Sequence, residues 1–135
     1  MLDELTTDIQ DPAEVFAVSV RITARFPRTH PELAQILARS GPRYLTAPSG
    51  LAPRALRDLE RARDRGRFRF DDPAVALACT GGSLIAVLHL ALERRMTASA
   101  VGRAADGLAV NLLRMFGLEE KDARDVVGRS LPAVG

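Results

Sequence analysis

Along most of this chain apolar positions recur every three or four residues, and each such stretch opens on a helix-start signal. At 11–14, "DPAE" offers Asp11 as N-cap, Pro12 as first helical residue and Glu14 at the third position. The stripe Val15, Val18, Ile22 and Phe26 then predicts a helix to about Phe26, because Pro27 disfavours helical geometry just before it. "THPE" at 29–32 starts a second, with Leu33, Ile36, Leu37 and Ser40 on one face. "SGPRYLTAPSG" (40–50) breaks at Gly and Pro around Tyr44 and reads as a loop. A third helix, Pro53 to Arg65, turns Leu56, Leu59 and Ala62 inward and stops at Gly66. "RFRFDDP" (67–73) is extended at first, with Phe68 and Phe70 on one side. Asp72 caps a long helix ending near "ERR", a second long helix runs from about Thr97 to Phe116 before Gly117, and a short one spans Glu119–Val127. Residues 1–10 are expected to be a flexible lead-in and 129–135 a frayed tail of a single domain, 1–135.

Composition narrows the class to all-α, about six helices. Of 135 residues 21 are Ala, aromatics are only 4%, and strand-favouring residues are sparse. The length suffices to bury a core without disulfides or metal. Eighteen Arg and one Lys against 17 acids leave a net charge of +2, too little to predict a nucleic-acid surface. The lone Cys79 excludes an intrachain disulfide, and the acidic "MLDELTTDIQ" lacks the regions of a signal peptide, so a cytoplasmic location is expected.

The twenty residues from Pro73 to Leu92 hold no Asp, Glu, Lys or Arg in a chain that is 27% charged. A membrane, a buried core or a partner chain would each explain that. The length permits a span, but Thr80, Gly81, Gly82 and Ser83 interrupt it at the midpoint and no other segment resembles it, so no membrane is expected. Leu77, Gly81, Leu84 and Leu88 form one stripe of this helix, with other apolar residues around it. The next helix carries Ala98, Gly102, Ala105 and Ala109 at spacings of three and four, followed by Leu112. One domain could enclose such a helix. Two adjacent helices with apolar faces to spare instead predict a homodimer, in which these stripes pair across a two-fold axis as an intersubunit four-helix bundle.

Catalysis and cofactors find no support. His30 and His89 have no Cys or carboxylate at ligand spacing, so no metal is expected. His89 is expected in the core or an interface, and Cys79 as a small buried hydrophobe. Asp71 and Asp72 are explained by the cap before Pro73, and no phosphate loop or nucleophile–base set occurs. Seven Arg between Arg54 and Arg69 are interleaved with Asp58, Glu60 and Asp64, which reads as a solvated helix face. In the first helix Phe16, Ser19, Val20 and Thr23 make a mixed apolar and hydroxyl stripe. It suits a pocket for an apolar ligand, or the hydroxyls bond back to their own helix.

"RGRFRFDDPAVALACTGGSLIAVLHLAL", the later "NLLRMFGL", and "DPAEVFAVSVRI…HPELAQILARSG" are together similar to the C-terminal half of TetR-family transcriptional regulators. The resemblance implies a regulatory domain of a repressor that binds a small, mostly apolar effector and mediates homodimerisation. It implies a cavity walled by the helices ahead of the dimer pair. Ile36, Leu37, Tyr44, Leu59 and Ser83 would join the first-helix stripe in lining it. Family members begin with a helix-turn-helix head, for which the residues before Asp11 leave no room, so DNA is expected to be bound only through a domain outside this chain. The alternatives are a dimeric structural or interaction module without a working cavity, or an enzyme with an unrecognised site.

Overall fold

The computed structural model describes residues 1–41, 43 and 51–133. The described residues are all helical or irregular, with α1 (Leu2–Thr6), α2 (Pro12–Ala24), α3 (Phe26–Thr29), α4 (Pro31–Ser40), α5 (Leu51–Asp64), α6 (Pro73–Glu93), α7 (Ala98–Met115) and α8 (Glu120–Val127). The caps expected at Asp11 and Asp72 form and Thr97 adds a third, whereas the helix start expected at 29–32 has His30 at its N-cap and no side-chain cap bond. Asp11 accepts from the Ala13 amide at 3.0 Å, Asp72 from Ala74 at 2.9 Å, and the Thr97 hydroxyl from Ala100 at 3.2 Å, each supplying an acceptor to an otherwise open N–H. Gly66 (φ 77°) and Gly117 (φ 107°) end α5 and α7 in the left-handed region, as only glycine does without strain.

Three boundaries differ from the sequence reading. The first long helix stops at Ala24, and Arg25 redirects the chain into the single turn α3, which has Pro27 near its start. Helix α5 begins at Leu51, ahead of Pro53. Residues 1–10, expected as a lead-in, include α1, whose Leu2 is buried while Leu5 and Ile9 pack on the same cluster. At the start of the expected tail Arg129 is anchored: its side chain donates to Glu14 at 2.6 Å and its carbonyl accepts from Arg21 at 2.9 Å.

Helix α2 forms the centre. Eleven of its thirteen residues are buried, and it packs against α5, α6, α7 and α8. Its Ala13, Ala17 and Ala24 share one apolar cluster with Ala105 and Ala109 of α7, so small residues face small ones and the two helices can approach closely. The rings of Phe16, Phe68 and Phe116 form the middle of that cluster, with centroids 5.1–5.8 Å apart. Phe70 reaches Phe116 from the same side, at 5.7 Å, as its spacing from Phe68 predicts. A second cluster around Val18, Ile22, Phe26, Leu37 and Leu88 joins α2, α3, α4 and α6. Between α2 and α7, Asp106 accepts from Arg21 at 2.8 Å and from Arg25 at 2.9 Å. Those bonds hold its carboxyl below the ordinary carboxylate range despite opposing burial.

The uncharged helix is not the centre. Of the 21 residues in α6 only Ala76, Thr80, Leu88 and Ala91 are buried. One side packs on α4, α5 and α7, and the other carries exposed Val75, Cys79, Gly82, Ala86 and Leu90.

Candidate ligand-binding cavity

Between α2, α5 and α6 the packing leaves a cavity offering about 70 Å³ to the centres of water-sized molecules. By the measure that one water needs about 10–15 Å³, it holds roughly five waters or one small ring. Its α2 wall comprises Phe16, Ser19, Val20 and Thr23, the stripe singled out in the sequence, and Leu37 of α4 closes one side. Three further expected lining residues lie elsewhere. Leu59 is enclosed in the Phe16–Phe68 cluster, Ile36 points to solvent at 57% exposure, and Ser83 is not part of the wall. Tyr44 lies outside the described residues.

The sequence reading missed the other two walls. Helix α6 contributes Leu77, Thr80, Gly81, Leu84, Ile85 and Leu88. Its Leu77–Leu88 stripe, expected at a two-fold axis, therefore faces inward. Ala105, Ala109 and Leu112 of α7 are likewise enclosed within the chain, and Gly102 lies beneath the Arg25 guanidinium. Ala105 and Ala109 of the small-residue stripe face α2, while Ala98 at its start is exposed. The opposite face of α6 is the free one, and Cys79, expected to be buried, is exposed there together with His89.

Helix α5 supplies the polar part. Asp58 is 2% exposed and lines the cavity with Arg54, yet neither carboxylate oxygen has a hydrogen-bond partner among the described residues. The nearest cations, Arg54 Nη1 and Arg57 Nη2, stand 3.7 and 3.6 Å away, too far for hydrogen bonds. Both Arg side chains are engaged by Asp3 of α1, whose Oδ1 accepts from Arg54 Nε and Arg57 Nη2, each at 2.6 Å. Arg54 Nη1 also donates to the Ser19 hydroxyl at 3.0 Å, while its Nη2 is buried and has no partner among the described residues. Burial pushes the Asp58 carboxyl above the ordinary carboxylate range, against the pull of Arg54, Arg57 and Arg61. Bonds from Arg57 and Arg54 hold Asp3 below it. Ser19 itself donates back to the Val15 carbonyl at 3.1 Å, as the back-bonded reading of its hydroxyl has it.

Sequence reasoning placed Arg54 and Asp58 on a solvated face because acids and bases alternate through 54–69. The available signal was position: Asp58 shares a helical stripe with Leu51, Ala55 and Ala62. No cluster of three or more metal-binding side chains occurs among the described residues.

A family model described as Tetracyclin repressor-like, C-terminal domain, matches residues 11–129. Among solved structures, that of RolR without ligand superposes with a TM-score of 0.81 at 34% identity, over 99% of this chain and 67% of that one. RolR in complex with resorcinol gives 0.72 at 33% identity, over 99% and 65%. The chain thus spans about two thirds of RolR. No match is found among the curated proteins. Helix order, match and superposition agree, and the chain belongs to the TetR-like regulators as a C-terminal domain of that family.

Proposed function

We propose that this domain is the effector-binding and dimerising part of a TetR-like transcriptional repressor. The observation that carries the reading is the cavity between α2, α5 and α6, walled mostly by apolar side chains with few polar groups, the usual make-up of a small-molecule site. RolR was crystallised with resorcinol, a single-ring compound, and a ligand of that bulk suits the space. DNA would be contacted by a helix-turn-helix domain outside the matched span. An effector acts in this scheme by binding one conformation of the domain more tightly than the other.

The free face of α6 supports the dimer. That helix is long and apolar enough to cross a membrane, yet only 22% of its most apolar window is buried within the chain. Its inner side packs against α5, which carries charged Arg57, Glu60 and Arg61, so the helix cannot be ringed by lipid without drawing those charges in. A second copy covers the outer side at no such cost, in a bundle formed by faces other than the Leu77–Leu88 stripe.

The test is a thermal-shift screen of small single-ring compounds. A binder present at a hundredfold its Kd should add about 2.7 kcal/mol of stability. Val20→Phe, which pushes a ring into the cavity, should abolish the shift. Hits whose shift survives Val20→Phe would place the site elsewhere.

A further inference from the structure

We infer that α6 is a jointed helix whose joint, Thr80–Ser83, lies between the cavity and the outer face, so that filling the cavity sets the angle at which the outer face is presented. The joint stands on the chain's own packing; its use by an effector rests on the cavity being the effector site. The four residues Thr80, Gly81, Gly82 and Ser83 weaken the middle of α6 in two ways. Glycine inside a helix is unfavourable relative to alanine, because it gives up the most backbone freedom. The hydroxyls bond back: Thr80 donates to the Ala76 carbonyl at 2.9 Å, and Ser83 to those of Cys79 at 2.7 Å and Thr80 at 3.1 Å. Such bonds compete with the helical ladder and, like adjacent glycine and serine, mark places where helices bend.

Packing within the chain does not require glycine at 82, where a Cβ would meet no atom within 4 Å among the described residues. The two halves of α6 are anchored in different places. Ahead of the joint, Ala76 is buried in the cluster of the three Phe rings, with Leu77 against it. Behind it, Leu88 is enclosed in the cluster around Phe26, with Leu92 against it; Leu84 meets both clusters and Val87 the first. At the joint itself Thr80 and Gly81 face the cavity, while Cys79 and Gly82 are exposed on the other side. The stretch of lowest helix propensity therefore has a void on one side and no cover from its own chain on the other. Whatever fills the cavity bears on Leu77, Gly81 and Leu84, and a tilt there swings Cys79, Gly82 and Ala86 on the outside.

Amide hydrogen exchange on the intact chain tests this, with Gly82→Ala and Ser83→Ala, both outside the cavity wall, as variants. In the wild type the amides of 82–86 should exchange about tenfold or more faster than those of 88–91, since opening at the joint leaves the anchored part of the helix folded. Gly82→Ala should slow them about fivefold, and Ser83→Ala in the same direction, with 88–91 moved less. Xenon under pressure enters apolar cavities whatever their natural ligand, and should slow the same amides selectively. Joint amides as slow as 88–91, variants that shift the whole helix equally or not at all, or xenon that leaves the joint unchanged would each overturn the inference. So would a Gly82→Ala variant that loosens the dimer without slowing exchange, since glycine would then serve only close approach by a second copy. No arm uses an effector, so an unsuccessful thermal-shift screen counts against the effector reading and leaves the joint standing.

Discussion

Removing Asp58 should stabilise the empty protein. Its carboxylate is 2% exposed with both oxygens unpartnered among the described residues, and a buried polar group in that state costs about 1–3 kcal/mol. Deleting one member of a buried ion pair is usually harmful because the partner is left uncompensated. Here Arg54 and Arg57 each keep a bond to Asp3 at 2.6 Å, so neither guanidinium loses its last carboxylate. Asp58→Leu should therefore gain about 1–2 kcal/mol at pH 7. The sign of the pH dependence follows from the raised carboxyl. Between the unfolded value of 3.8 and the higher folded one, the folded state binds more protons, so wild-type stability falls as pH rises through that window. The groups acting on Asp58 are Arg54, Arg57 and Arg61 of its own helix and Asp3 of α1. The advantage of Asp58→Leu should be smallest near pH 4 and largest above the folded value. Urea unfolding of both proteins at one concentration, from pH 4 to 7.5, measures this. A loss of about 3 kcal/mol or more in the variant, or an advantage that shrinks with rising pH, would show that Asp58 is a structural counter-ion.

Asp106→Ala leaves the nearly buried Arg21 and the half-buried Arg25 without their shared carboxylate, and urea unfolding should show a loss of about 2 kcal/mol. Because Asp106 titrates below its unfolded value of 3.8 in the folded state, its contribution is complete above 3.8 and disappears as pH falls through the folded value. Phe68→Ala empties the centre of the three-ring cluster and should cost about 3–5 kcal/mol, read as a lower urea midpoint with unchanged slope. A Cβ added at Gly82 meets nothing within 4 Å in the single chain, so Gly82→Arg should fold normally. It should nevertheless sediment as a 14.6 kDa monomer, whereas the wild type is expected to sediment as a dimer. Equal sedimentation of the two would remove the outer face of α6 from any interface.

The helical order was legible because caps and stops are local. Asp11–Pro12, Asp72–Pro73 and Gly117 mark boundaries within their own few residues. Which face of a helix turns inward was legible only where charge marks the outside. Helix α6 has no charges from Pro73 to Leu92, so its Leu77–Leu88 stripe and its Val75–Leu90 face were equally eligible for the partner. Helix α1 was missed although Leu2, Leu5 and Ile9 recur at spacings of three and four, because its polar residues outweigh so short a stripe. The α2 wall of the cavity was legible in its mixed apolar and hydroxyl residues. The α5 wall was not, because a carboxylate among seven Arg looks solvated until Ala52, Leu59 and Ala62 fix the buried side of the helix.

The most direct measurement is a crystal of this chain soaked with 4-bromophenol, the bromine located by its anomalous scattering. The account predicts bromine inside the cavity, among Phe16, Leu84 and the other apolar walls. Bromine bound only outside the cavity, with that space still empty at saturating soak, would contradict it.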